Sequence, residues 1–293
     1  MIALAMMFAA AASVPQSADS LREAILTRVA ASPGATVAVS FLDMQSGEAL
    51  DINADTLFHA ASTMKVPVMI EVLRRAQQGA FSLDQGVLLV NEFNSLADGS
   101  PFTLIKSEDG DTALYSRVGQ RVTIRELMRR MITLSSNLAT NQMIALIGAD
   151  KVTAGAREIG ASRISVLRGV EDIKAFERGM INTTTSADLA VLLAAIERGK
   201  VLSPASSAEM REILLAQEFN DKIPAGLPGG TRVAHKTGEI TAVSHDAAIV
   251  YPTGRKPYVL VVLTRGLREG KESAALIADI SRIVWSHVTT GNQ

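Results

Sequence analysis

Residues 247–263, with the sequence AAIVYPTGRKPYVLVVL, decide the fold of the C-terminal part of the chain. Two runs rich in β-branched and other apolar residues, 247–251 and 258–263, lie on either side of the turn-forming residues PTGR. This pattern predicts two antiparallel strands joined by a short turn. A further strand is predicted over residues 232–235, and the amphipathic pattern from Lys271 to about His287 predicts a closing helix.

The N-terminal part has a related order, a helix followed by two strands. Apolar residues recur on one helical face from Asp19 to about Ala31, and Ser-Pro-Gly follows. Strands are predicted over 36–42 and 49–52, which flank the turn residues QSGE. Because consecutive strands tend to share a sheet, the predicted fold class is α/β of the α+β type: an antiparallel five-stranded sheet flanked by terminal helices, with an inserted all-α domain.

The inserted segment carries helical signals and few β-branched runs. A helix is predicted over residues 63–78. Thr123 begins a capping box that opens a further helix, and Thr185 begins a similar pattern, with Asp188 in place of Glu, before another. Residues 94–119 are rich in Ser, Asp and Gly, and we predict a long loop there, at the edge of the helical part.

These patterns divide the chain into three parts. We predict a signal peptide over residues 1–18, a sheet domain made of residues 19–57 and 226–293, and an inserted helical domain over residues 58–225. The cleft between the two domains is the expected active site, because ligand sites form preferentially at such interfaces.

The composition excludes several classes of function. The 293 residues include 29 Lys and Arg against 30 Asp and Glu, which leaves no overall charge bias toward nucleic acid. No cysteine is present, so disulfides and thiolate catalysis are excluded. The four histidines are scattered without the spacing of a metal site, and we therefore expect no metal and no cofactor.

The first residues, MIALAMMFAAAAS, have the apolar length of a signal-peptide core, and the small residues Ala10 and Ala12 suit a cleavage site. No basic segment precedes the run, so a buried N-terminal helix is the alternative interpretation. No other stretch approaches the length of a membrane span. We expect an exported protein, periplasmic or extracellular, without a membrane span in its mature form.

Ser62-Thr63-Met64-Lys65 stands at the predicted start of the first inserted helix. The spacing of three places Ser62 and Lys65 on one helical face, and a helix N-terminus favours a developing oxyanion. Serine needs a base to become a nucleophile, and lysine serves as one only where its pKa is lowered. Alone, the motif equally fits an N-cap serine beside a solvated lysine.

Two further motifs carry chemically useful groups. Ser135-Ser136-Asn137 lies between two predicted helices, where a hydroxyl and an amide can relay a proton and bind a substrate amide; capping of the next helix is the alternative. Lys236-Thr237-Gly238 lies on a predicted strand, where lysine offers a fixed charge and glycine admits a substrate to the backbone. The alternative there is a strand end with an exposed lysine.

Together, SxxK, SxN and KTG in this order resemble the penicillin-binding protein and serine β-lactamase superfamily. Phe58, four residues before Ser62, and the run Asn182-Thr183-Thr184-Thr185 resemble class A β-lactamases in particular. The resemblance runs from about Asp19 to His287. It implies that Ser62 is acylated and that Lys65 takes part in proton transfer.

The resemblance also implies roles for the other two motifs. Ser135 would pass a proton to the leaving nitrogen, and Asn137 would bind the substrate's side-chain amide. Lys236 and Thr237 would bind the substrate carboxylate. The backbone N–H groups of Ser62 and Glu239 would form the oxyanion hole, and Gly238 would let the substrate approach the backbone.

The deacylating base is the least regular part of the resemblance. Class A enzymes carry a glutamate two residues after an arginine, whereas here Glu171 follows Arg168 by three residues in a loop that is about two residues short. Glu171 is therefore a candidate catalytic base, and pairing with Arg168 or exposure beside Asp172 is the alternative. Ser136 in place of the usual Asp, and Glu239 in place of a small residue, also depart from class A.

The predicted function is opening of the β-lactam ring of penicillin-type antibiotics by a serine acyl-enzyme hydrolase. The alternatives are a D-alanyl-D-alanine carboxypeptidase or transpeptidase acting on peptidoglycan, an esterase, and a non-catalytic peptidoglycan-binding module. The expected partner is a small-molecule β-lactam or a D-Ala-D-Ala peptide, bound by a monomer. His245-Asp246 is expected to be structural, and Arg265 or Arg268 to assist carboxylate binding.

Overall fold

The computed structural model describes residues 18–290 of the chain. Its first part runs through α1 (Ala18–Ala30), β1 (Thr36–Asp43) and β2 (Ala49–Ile52). The middle part contains β3 (Phe58–His59), α2 (Lys65–Gln77), β4 (Gly86–Leu88), β5 (Phe93–Asn94), β6 (Pro101–Phe102), β7 (Arg121–Thr123), α3 (Ile124–Thr133), α4 (Asn137–Ile147), α5 (Ala149–Ile159), α6 (Ile173–Glu177), β8 (Thr183–Thr184), α7 (Ser186–Glu197) and α8 (Pro204–Leu215). The last part contains β9 (Arg232–Ile240), β10 (Val243–Tyr251), β11 (Tyr258–Arg265) and α9 (Gly270–Thr290). The predicted signal peptide, apart from Ala18, lies outside the described residues.

The main sheet combines strands from both ends of the chain. Its order is β2-β1-β11-β10-β9, and every neighbouring pair is antiparallel. The predicted five-stranded antiparallel sheet is therefore confirmed. Strand β9, which carries the KTG motif, forms one edge of this sheet, so one of its sides is open to the inserted part of the chain.

Both faces of the sheet are covered. Side chains that alternate along a strand point to opposite faces, so Val250 and Val262 join one hydrophobic cluster while Ile249 and Val261 join the other. The first cluster packs against α1 and α9, and the second against the inserted helices, with α7 lying directly on β1, β10 and β11. Burial on both faces explains why β10 and β11 read as nearly continuous apolar runs.

The inserted segment departs from a purely helical region in two places. Phe58–His59 pairs with Thr183–Thr184, which ties the start of the segment to the chain that follows residue 182. The stretch 94–119, predicted as a loop, contains one strand of the β5–β6 hairpin and short 3₁₀ turns over Lys106–Glu108 and Thr112–Arg117. Two-residue strands have no periodicity that a sequence pattern can reveal.

The predicted helix starts agree with the observed caps. The side chain of Thr123 accepts a hydrogen bond from Glu126 N, and that of Thr185 accepts one from Asp188 N. The division into a sheet domain (19–57 and 226–293) and a helical domain (58–225) stays a prediction; the two hydrophobic clusters follow the two faces of the sheet and do not coincide with this division. Among residues 18–290, no helix is long and apolar enough to cross a membrane.

Candidate active site

Three separate parts of the fold bring the sequence motifs together. Ser62 lies in a 3₁₀ turn over Ala61–Met64, and Lys65 is the first residue of α2. Ser135 lies in the short connection between α3 and α4, while Lys236 lies on the edge strand β9. Hydrogen bonds join Lys65 and Lys236 to the same Ser135 hydroxyl, so the three predicted motifs meet at one point.

The turn that carries Ser62 approaches β9 closely. A Cβ on Gly238 would lie only 3.1 Å from both Ser62 N and Thr63 N, so glycine is what allows the strand to run along this turn. The preceding Ala61 has a φ of 44°, a left-handed conformation that costs an L-residue about 1–3 kcal/mol. Such a conformation persists only where the surrounding structure fixes it. Here it places the backbone N–H of Ser62 beside the strand.

Lys65 is fully buried and bonded to the SxN segment. Its ammonium donates to Ser135 O at 2.6 Å, to Ser135 Oγ at 3.1 Å and to Asn137 Oδ1 at 2.8 Å. Burial lowers the pKa of Lys65 to about 7, against the opposing effects of Asp109 and Glu171. Within the described residues, no group forms a hydrogen bond with Ser62 Oγ, which leaves this hydroxyl free to rotate toward the amine.

Ser135 stands between two buried lysines. Its hydroxyl lies 3.1 Å from Lys65 Nζ and 3.1 Å from Lys236 Nζ. Burial, followed by the charge of Lys65, holds the pKa of Lys236 well below its usual range. A proton on either lysine stabilises an alkoxide on Ser135, so this hydroxyl is suited to passing a proton onward. Ser135 has a φ of 55°, a second strained position.

An aspartate that the motif search missed anchors the SxN segment. Asp109 accepts hydrogen bonds from Asn137 N and Leu138 N, the first amides of α4, and from Tyr115 Oη. A carboxylate at a helix N-terminus accepts hydrogen bonds from the free N–H groups and interacts favourably with the positive end of the helix dipole. Ser136 Oγ accepts from Ala139 N, so the middle serine of the motif is the helix cap.

Asn137 connects Lys65 to Glu171. Its Oδ1 accepts from Lys65 Nζ at 2.8 Å, and its Nδ2 donates to Glu171 Oε1 at 2.5 Å. Burial raises the pKa of the Glu171 carboxyl, while bonds from Asn137 and the Ile105 backbone act in the opposite direction. The Glu171 carboxylate thus bonds the same Asn137 amide that accepts from Lys65. Glu171 has a φ of 60°, a third strained position.

Arg168 is used within its own loop. Its guanidinium donates to Met180 O at 2.8 Å and to Gly169 O at 3.0 Å, and no ion pair with Glu171 occurs in the described part of the chain. Nearby, Asn182 Oδ1 accepts from Leu167 N at 2.8 Å, which fastens the start of the loop. The arginine and asparagine thus shape the loop from which Glu171 projects.

A second asparagine holds the loop against α4. Asn141 accepts from Val170 N at 2.6 Å and donates to Val170 O at 3.0 Å. A Cβ at Gly169 would lie 2.2 Å from Asn141 Oδ1, so only glycine fits beside this amide. Sequence reasoning missed Asn141, whose position four residues after Asn137 on α4 was its only available signal.

The remaining predicted residues lie around this centre. Glu239 Oε2 accepts from the buried Lys222 at 3.1 Å. His235 and Asp246 form a buried pair with a closest distance of 2.9 Å, in agreement with the structural role expected for the aspartate. Arg265 donates to Leu57 O and lies over the Phe58 ring, and neither it nor Arg268 lines the cleft cavities.

Two cavities open on either side of Ser62. One, of about 480 Å³, extends along the KTG strand and is lined by Ser62, Ser135, Thr237 and several acidic residues. The other, of about 380 Å³, lies beneath the loop that carries Glu171 and is largely apolar, with Val170, Ile173, Phe176 and Ile240 in its walls. In the part of the chain that the structure describes, no cluster of His, Asp and Glu is arranged to hold a metal ion.

In this arrangement the Ser135 hydroxyl lies between two buried lysines, and β9 runs against the turn that carries Ser62. The Glu171 carboxylate is joined to Lys65 through the Asn137 amide. Residues 20–288 match the family described as the beta-lactamase enzyme family. The chain belongs to this family. The predicted resemblance to class A β-lactamases and penicillin-binding proteins is therefore confirmed.

The similarity to known members of the family covers most of this chain. The beta-lactamase AST-1 of Nocardia asteroides is 31% identical over 256 residues, which cover 86% of this chain and 78% of AST-1. The solved structure of PBP-A is 28% identical, with a TM-score of 0.78, over 92% of this chain and 95% of PBP-A. A PBP-A mutant in an acyl-enzyme complex with penicillin G is 27% identical, with a TM-score of 0.79, over 94% and 99%.

Proposed function

We propose that this chain is a serine β-lactamase that acylates Ser62 and then hydrolyses the ester with water activated by Glu171. Membership of the beta-lactamase enzyme family makes β-lactam hydrolysis its reaction. The assignment of individual residues rests on one observation above all: the Ser135 hydroxyl is shared between Lys236 and Lys65, and Lys65 follows Ser62 by three residues. This arrangement supplies a base, a proton carrier and an anion site around one nucleophile.

Acylation uses the neutral form of Lys65. The neutral amine accepts the Ser62 proton, and Ser62 Oγ attacks the β-lactam carbonyl carbon to give a tetrahedral oxyanion. The backbone N–H groups of Ser62 and Glu239 stabilise that oxyanion. When the C–N bond breaks, Ser135 donates its proton to the ring nitrogen and takes one from the Lys65 ammonium, which returns to the neutral amine.

Substrate orientation comes from the edge strand. Lys236 and Thr237 bind the substrate carboxylate, which fixes the ring over the nucleophile. Gly238 keeps the strand close enough for its backbone to line the reacting carbonyl. Asn137 holds Lys65 and Glu171 in place, and its amide keeps a second N–H and a second oxygen lone pair for a substrate amide.

Deacylation is the step assigned to Glu171. Its carboxylate takes a proton from a water molecule, the water oxygen attacks the ester carbonyl, and the Ser62 oxygen leaves with the proton that Glu171 returns. Burial and the raised pKa of Glu171 favour a carboxylate with enough basicity for this task. The product is the ring-opened acid, and the free enzyme is regenerated.

A D,D-peptidase on the same scaffold is the second candidate, because the chain is similar to PBP-A over 92% of its length. Turnover of a chromogenic cephalosporin, measured beside D-alanine release from a D-Ala-D-Ala peptide, separates the two. We expect continuous cephalosporin turnover and no peptide cleavage. A single stoichiometric burst with the cephalosporin, accompanied by D-alanine release, would overturn the β-lactamase assignment in favour of the peptidase.

Export and a monomeric state complete the proposal. The apolar run in residues 1–18 supports a signal peptide and an exported enzyme, periplasmic or extracellular, which meets β-lactams before they reach their targets. The test is N-terminal sequencing of protein recovered from secreting cells, together with light scattering. A protein that retains residue 1, or one that scatters as a dimer, contradicts this part.

A further inference from the structure

The cavity along the KTG strand has a strongly acidic wall. Besides Ser62, Ser135 and Thr237, its lining includes Glu108 from one side of the cleft and two acids from the segment between α8 and β9, Glu218 and Asp221. Exposed carboxylates on the wall of a cleft create a local negative potential that attracts cations.

These charges are only partly neutralised within the protein. Glu108 and Glu218 take part in no ion pair among the described residues. Asp221 lies 3.5 Å from Lys222 Nζ, but the same ammonium also lies 3.1 Å from Glu239 Oε2. Lys222 therefore pairs with both Asp221 and Glu239, and the cavity wall keeps a net negative charge.

Thr237 on the wall of the same cavity, and the buried Lys236 that precedes it in β9, have no carboxylate partner in the described part of the chain. Thr237 is only 6% exposed, and its hydroxyl forms no hydrogen bond with any residue of the described part of the chain. Lys236 is fully buried, and its described hydrogen bonds go to Ser135 Oγ and Thr237 O, neither of them a carboxylate. An unpartnered hydroxyl beside a buried ammonium is suited to a ligand carboxylate.

The cavity that contains Ser62 thus has a site for a carboxylate at Thr237 and an acidic wall formed by Glu108, Glu218 and Asp221. We infer that this side of the cleft selects β-lactams whose carboxylate is accompanied by a cationic substituent on the same side of the ring. The inference rests on the proposed function and adds a substrate class to it.

Cephaloridine and cephalothin test this selection, because they share one acyl side chain and differ in a pyridinium or an acetoxy group on the carboxylate side. The quantity measured is the ratio of their kcat/KM values in the wild type and in a Glu218→Gln/Asp221→Asn variant. Comparing ratios between variants cancels the different intrinsic reactivity of the two rings. The control variant, Glu23→Gln/Asp51→Asn, removes the same charge from α1 and β2, far from the edge strand β9.

We expect the cleft variant to lower the pyridinium-to-acetoxy ratio about tenfold, with the acetoxy value nearly unchanged. Glu108→Gln, on the other wall, is expected to lower the ratio as well, and added NaCl to lower it in the wild type. The control variant keeps the wild-type ratio.

An unchanged ratio in both cleft variants, with the wild type active on both compounds, would overturn the inference and leave the proposed function intact. If the wild type neither acylates with nor hydrolyses either compound, the proposed function itself fails.

Discussion

Acidification from pH 7 to pH 5 is expected to slow acylation of Ser62 about fiftyfold, because the base is a buried lysine that titrates in this range. Burial lowers the pKa of Lys65 to about 7. Only the neutral amine accepts the serine proton, so the rate follows the neutral fraction. That fraction is about one half at pH 7 and about one hundredth at pH 5, and it approaches one above pH 8.

The assay isolates acylation from the later step. Enzyme in excess over a penicillin is quenched at millisecond intervals, and the intact penicillin that remains is measured by mass spectrometry across pH 5–9. Acylation consumes the intact β-lactam, so its loss reports this step alone, whereas the raised pKa of Glu171 affects only the later hydrolysis of the ester. Circular dichroism at each pH verifies that the fold is intact.

A Lys65→Arg variant is the control. Guanidinium stays protonated throughout the range, so the variant should acylate slowly and without this pH dependence. The reasoning is refuted if wild-type acylation is constant between pH 5 and pH 8, or faster in acid, while the protein stays folded. Either result would mean that Lys65 does not accept the proton.

Three further changes have defined outcomes. Asn137→Ala should slow acylation and deacylation by about 10–100-fold each, because both Lys65 and Glu171 lose a hydrogen-bond partner. A lower rate in only one of the two steps would argue against a role of Asn137 in both. Gly238→Ala should lower kcat/KM about tenfold or more with little change in Tm, since its Cβ presses on the nucleophile's N–H. An unchanged kcat/KM would contradict the close approach. Asp246→Ala should cost about 2–5 kcal/mol in urea unfolding, because His235 Nδ1 and Ile223 N lose their buried acceptor, and a cost below about 1 kcal/mol would contradict it.

The parts of the fold that a sequence can predict are those whose signal is local and periodic. The apolar runs of β10 and β11 identify the sheet because both of its faces are buried. Thr123 and Thr185 mark helix starts because a cap is a contact over three residues. The three motifs point to one site because their chemistry is carried by residue type.

What the sequence could not reveal depends on contacts between distant residues. Asp109 anchors Asn137 across 28 positions, and the double role of the Asn137 amide appears only once Glu171 is folded onto it. The orientation of Glu171 likewise comes from Asn141 and Asn182, which shape its loop through backbone bonds. Such bonds leave no periodic trace in the sequence.

The central claim is that Ser62 carries the acyl group and that Glu171 removes it. Its most direct test is a time course of Ser62 acylation, followed by peptide mass spectrometry after mixing penicillin G with the wild type and with Glu171→Gln. We predict a short-lived adduct of one penicillin mass on Ser62 in the wild type, and the same adduct at full occupancy, and persistent, in the variant. No adduct on Ser62 in either protein, or a variant that turns penicillin over at the wild-type rate, would contradict the account.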